Sequence, residues 1–111
     1  MNIDRIIEMI EALREEYREL LQEATDGMSQ VRYAGAIEGF NVVLGDLRTK
    51  KYYYGIDTLG INELIAYVKE QREEYRELLE EVTVEAIDHK KQIRYTGAIE
   101  GFSTILGDLM Y

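Results

Sequence analysis

An all-α fold, a tandemly duplicated helical hairpin forming a four-helix bundle with pseudo-twofold symmetry, is predicted by three observations. The octapeptide REEYRELL occurs at residues 14–21 and again at 72–79. The stretches VRYAGAIEGFNVVLGDL (31–47) and IRYTGAIEGFSTILGDL (93–109) follow in the same order, so about 50 residues are copied nearly end to end. Within each copy, apolar residues return every three or four positions, the period of an amphipathic helix. Two units imply an approximate internal twofold axis, on which any ligand or partner would meet equivalent residues from both copies.

The first helix of the first copy carries Ile3, Ile6, Ile10, Leu13, Tyr17, Leu20 and Ala24 on one stripe. Its counterpart carries Ile61, Leu64, Val68, Gln71, Tyr75, Leu78 and Val82, with Gln71 standing where Leu13 stood. Opposite faces hold pairs such as Glu11 with Arg14 and Glu73 with Arg76, the pattern of a solvated surface. The second helices repeat a seam of Tyr33, Ile37, Phe40, Leu44 and Leu47 as Tyr95, Ile99, Phe102, Leu106 and Leu109. Gly27 supplies a stop between the first two helices, with Asp26 or Ser29 capping the next. The second junction, VTVEAIDHKKQ, is four residues longer than ATDGMSQ and lacks glycine and proline. A break is expected near residues 83–88, against the alternative of one continuous helix of roughly 75 Å, which would force a swapped dimer. The expected organisation is one domain over 1–111, with repeat 1 at 2–48, a crossover at 49–59 and repeat 2 at 60–110.

Composition limits the function classes. A chain of 111 residues has room for one core. Its net charge of −9 disfavours a grip on duplex nucleic acid. No apolar run approaches the roughly 20 residues of a membrane span, so no membrane partner is expected. The start, MNIDRIIEMI, carries acids and no basic region, so no secretory signal is expected and the expected location is the cytoplasm. The absence of cysteine removes disulfides, thiolate catalysis and Cys-based zinc sites. Spare apolar residues Ile7, Met9, Leu21, Ile65, Tyr67 and Leu79 widen the stripes beyond a narrow seam, which points to a homo-oligomer, a dimer first.

Two segments carry candidate binding chemistry. In the crossover, Arg48, Lys50 and Lys51 precede Tyr52, Tyr53 and Tyr54, a mix that holds phosphate and stacks a ring, or alternatively caps a helix dipole and covers a bundle end. In the repeated Arg-Tyr-x-Gly-Ala-Ile-Glu-Gly-Phe, Gly35, Gly39, Gly97 and Gly101 each cost about 1 kcal/mol inside a helix, and a close approach should offset that cost. The approaching group is either the facing helix or a flat ligand. For a ligand, Arg32 and Arg94 would supply charge to phosphate and Tyr33 and Tyr95 ring faces. Glu38 and Glu100 would accept hydrogen bonds from a base or ribose, and Tyr53 and Tyr54 would close the site. Paired donors suit a nucleotide-like small molecule, such as one with two phosphates or its own twofold.

No catalytic constellation, metal set or cofactor is implied. His89 is the one histidine and no nucleophile motif accompanies it. Glu15-Glu16-x-x-Glu19 and Glu73-Glu74-x-x-Glu77 resemble the metal motif of all-α nucleotide pyrophosphohydrolases, which would imply Mg²⁺ and an enzyme. The second half of that motif, E-x-x-D, is absent, because Glu38 leads to Asn41 and Glu100 to Ser103. Tyr33-x-Gly35-x-x-x-Gly39 and Tyr95-x-Gly97-x-x-x-Gly101 before a leucine seam, in an acidic cysteine-free chain, resemble small accessory proteins of bacteriophages. That resemblance implies a non-enzymatic protein in the host cytoplasm that sequesters a defence signal, binds and blocks a host protein, or builds part of an assembly. The leading expectation is an anti-defence protein that sequesters a nucleotide-derived small molecule at the duplicated segments. The alternative is an interaction module or oligomer component.

Overall fold

The computed structural model describes residues 1–85 and 88–110. Helices α1 (Ile3–Glu23), α2 (Gly27–Arg48), α3 (Ile61–Glu85) and α4 (His89–Met110) build an all-α bundle, and a π-helical turn (Thr49–Tyr53) extends α2. Among the described residues there is no strand, only one antiparallel bridge between Asn2 and Thr58. Of the stretch expected to break the second unit, residues 86 and 87 lie outside the described residues. On either side α3 and α4 are separate helices packed against each other.

Local chemistry sets the ends. The Asn2 side chain accepts from the Asp4 amide at 2.8 Å, and Asp4 places a negative charge in the first turn, where it complements the helix dipole. Asp26 caps α2 in the same way, accepting from the Ser29 amide at 2.8 Å. Gly27 is not the stop that its position suggests. It is the first residue of α2, and α1 ends because Ala24 turns extended (φ −67°, ψ 129°), three residues before the next helix begins. At the far end of α2, the Tyr54 amide donates to the Thr49 carbonyl at 3.3 Å, closing the wide turn. Gly55, at φ 68°, then takes the left-handed conformation that releases the chain. The crossover is pinned to the start of α1 by the Ile3 amide, which donates to the Asp57 carbonyl at 2.9 Å.

Helices α2 and α4 form the inner pair, with α1 against α2 and α3 against α4. Gly35 faces the backbone of Arg94, and Gly39, one turn later, faces Ala98, so the inner helices run in the same direction. An inner helix must bury two faces. Ala36, Gly39 and Val43 are therefore fully buried together with Phe40, Leu44 and Leu47, whereas Ile37, expected in the seam, is only half-buried; Ile99 in α4 behaves likewise. The core is eccentric. It gathers Ile3, Ile6 and Ile10 from α1, Phe40 and Leu44 from α2, Leu64 and Val68 from α3, and Phe102 and Ile105 from α4. It stops short of Leu20 and Leu78, which the stripes place inside and which are 39% and 37% exposed. Of the spare apolar residues, Ile7 lies in this core, and Met9, Ile65 and Tyr67 pack against it within the single chain.

Candidate functional site

The glycines of the repeated segment sit where α2 meets α4. A Cβ on Gly35 would overlap the carbonyl oxygen of Arg94, and one on Gly97 would overlap that of Arg32. A Cβ on Gly39 would lie 2.8 Å from the Ala98 oxygen, and one on Gly101 2.6 Å from the Ala36 oxygen. The facing backbone fills the groove, and this contact offsets the helix propensity that glycine lacks.

Two polar clusters flank this crossing. Arg32 Nε lies 3.3 Å from Glu100, and Arg94 donates through Nε and one terminal nitrogen to Glu38 at 2.9 and 2.8 Å. Each guanidinium also covers its neighbouring ring, 5.1 Å from the centroid of Tyr33 and 5.5 Å from that of Tyr95. The outer helices complete both clusters. Tyr17 meets Tyr33 and Phe40 edge-on and donates to Glu100 at 3.3 Å, while Tyr75 meets Tyr95 and Phe102 edge-on. Burial, then the adjacent Glu38 carboxylate, pushes the Tyr75 phenol up to about 12, and burial raises Tyr17 as well. Arg32 with Tyr33, and Arg94 with Tyr95, thus occupy two clusters rather than one common pocket. Glu38 and Glu100 accept from this chain's own arginines.

The inner helices also flank an open space near their N-terminal ends. Between them lies an open cleft of about 520 Å³, lined by Asp26, Met28, Ser29 and Arg32 from the α2 side and Gln92, Ile93 and Thr96 from α4. Arg32 is the one expected site residue that lines it. Its side chain is 45% exposed, and its ion pair with Glu100 runs through Nε. Hydrogen bonds from Ser29 hold the Asp26 carboxyl below its usual range, so it stays ionised at neutral pH. The remaining lining residues escape a reading of the sequence. Met28 and Ser29 lie four and three residues before Arg32 on one helical face, but nothing in a periodic pattern says that Gln92, Ile93 and Thr96 of α4 stand opposite them.

Tyr53 and Tyr54 are elsewhere. They occupy the turn beyond the C-terminus of α2, roughly 30 Å of helix away from the cleft. The cations of that turn are engaged: Arg48 with Glu11 at 3.6 Å, Lys50 with Asp46 at 2.9 Å, and Lys51 with Asp4. On α1, Glu15, Glu16 and Glu19 are exposed, Glu15 pairs with Arg18 at 3.6 Å, and no metal-binding group of acids or histidines occurs among the described residues. No helix among them is long and apolar enough to cross a membrane. Comparison of the chain with protein-family models, curated proteins and solved structures gives no match.

Proposed function

We propose that this chain is a non-enzymatic binding protein that takes a nucleotide-derived small molecule into the cleft between the N-terminal arms of α2 and α4. The observation that carries the reading is the composition of the cleft. Its volume of about 520 Å³ falls in the range of small-molecule sites. Arg32 offers charge-assisted donors to a phosphate, while Asp26, about 9 Å away along the helix axis, accepts from a ribose hydroxyl or a base amine. Met28 and Ile93 give apolar surface for the ring between them. Stoichiometric capture, the role implied by the resemblance to phage accessory proteins, needs no catalytic group.

The two hairpins are read as related by an approximate twofold through the α2–α4 crossing. Supporting this are the contacts that recur in matched form: Gly35 on Arg94 and Gly97 on Arg32, Arg32 with Glu100 and Arg94 with Glu38. The cleft does not share this equivalence, since Arg32 lines it and Arg94 does not. A ligand with a single anionic end suits it better than one with two.

The test is a thermal melt against a panel of nucleoside phosphates and cyclic dinucleotides. A ligand at a hundred times its dissociation constant stabilises the fold by about 2.7 kcal/mol, raising the melting point by several degrees. Arg32→Ala should abolish the shift and Arg94→Ala should leave it. A panel without any shift, or equal loss in both variants, argues against the cleft.

A second reading, an interaction module or component of a homo-oligomer, draws on a different observation, the exposed tyrosines after α2.

A further inference from the structure

The π-helical turn and the residue that follows it display Tyr52, Tyr53 and Tyr54 at 75%, 80% and 66% exposure. We infer that this patch is an interface for a second copy of this chain; the inference deepens the homo-oligomer reading and is independent of the cleft. Three observations support it.

The first is area. A tyrosine carries about 150–250 Å² of surface, so three at these exposures present on the order of 450 Å². That is as large as the biggest apolar patch an ordinary monomer shows, and about half of the roughly 800 Å² that one partner contributes to a standard interface. Ile56, two residues on in the chain, is also exposed.

The second is charge. The chain carries −9, yet Arg48, Lys50 and Lys51 around the patch are each paired with one carboxylate, so the turn is locally neutral. A basic partner would be steered to the acidic helical faces, and a polyanion would find these cations already taken. A neutral aromatic patch is where two molecules of like charge meet with the least repulsion.

The third is shape. Tyr53 and Tyr54 stand edge to face with centroids 4.9 Å apart, beside a nearly flat face lined by Arg48, Thr49, Tyr52 and Tyr53. A flat aromatic face is self-complementary under a twofold: each copy lays Tyr54 on the face of the other, over Arg48.

Light scattering and sedimentation equilibrium test this on the full chain and on the triple variant Tyr52→Ser, Tyr53→Ser, Tyr54→Ser. These side chains lie outside the core, so helicity and melting of dilute protein should hold. The expected result is a wild-type dimer at micromolar concentration, at least tenfold weaker in the triple variant. Raising salt from about 0.05 to 0.5 M should tighten the dimer by screening the repulsion between two acidic copies. A wild-type chain that stays monomeric overturns the inference, as does a chain whose tyrosines capture a different protein instead. A dimer equally tight in the triple variant overturns it while leaving the homo-oligomer reading standing. A nucleotide-induced melting shift that survives in the triple variant separates this outcome from the fate of the cleft.

Discussion

The crossing of α2 with α4 and the cleft a few residues away are built by the same two helices and differ in one respect. At the crossing, each glycine of the repeated segment has a backbone carbonyl of the other helix where its side chain would be. In the cleft, about 520 Å³ of open space lies between Met28, Ser29 and Arg32 on one side and Gln92, Ile93 and Thr96 on the other. Small residues mark where two backbones must touch. Ordinary-sized side chains, polar and apolar, mark where they need not, and a ligand has room only in the second place.

The sharpest way to break this contrast is to unseat the packing under the crossing. Phe40 is fully buried between Tyr17 and the inner helices, and Phe40→Ala should cost about 4 kcal/mol in urea unfolding. Gly35→Ala comes next, at about 2–3 kcal/mol, because its methyl would displace the Arg94 carbonyl; Gly97→Ala should match it. If either is tolerated without loss, the close approach is not a structural requirement. Gly45 is the internal control. Nothing lies within 4 Å of where its Cβ would be, so Gly45→Ala should stabilise by about 0.5–1 kcal/mol, the opposite sign for the same chemical change one helix face away. Smallest of all, Ser29→Ala in the cleft should move the unfolding midpoint by under about 0.5 kcal/mol, since the Asp26 cap to the Ser29 amide survives.

Alkaline titration probes the two half-buried phenols of α3. The Tyr75 and Tyr67 phenols are pushed up to about 12, chiefly by burial. The unfolded chain therefore releases these protons first, near pH 10. Stability should hold below that value and fall as pH rises toward about 12. Ultraviolet phenolate absorbance should show a late class of tyrosines whose ionisation accompanies loss of helicity, and Tyr75→Phe should shrink that class. A urea midpoint that does not change across this window would contradict the assignment.

The sequence made much of this legible and missed the rest for physical reasons. The four helices, the Asp26 cap and the close approach at Gly35 and Gly97 follow from local patterns, because propensity, capping and the cost of a helical glycine act over a few residues. The half-exposure of Ile37, the full burial of Val43 and the exposure of Leu20 do not. A single stripe describes a helix with one neighbour, whereas α2 lies between α1 and α4, and the extent of the core depends on where those contacts end. Arg32 was visible as a candidate, but its partner Glu100 and its companions Gln92, Ile93 and Thr96 come from α4. Only the packing of two helices far apart in the chain sets Glu100 against Arg32 and places Gln92, Ile93 and Thr96 in the cleft.

The crossing also has a consequence for dilution. Both faces of that contact belong to one polypeptide, held by the short crossover that Gly55 opens and Asp57 ties back to Ile3. Tethering of this kind sets an effective concentration in the millimolar range, independent of how much protein the solution contains. Two separate chains, each bearing one copy of the RYxGAIEGF segment, would come apart when scarce. Joined end to end they stay engaged at any expression level, and the cleft between their arms persists in a single molecule.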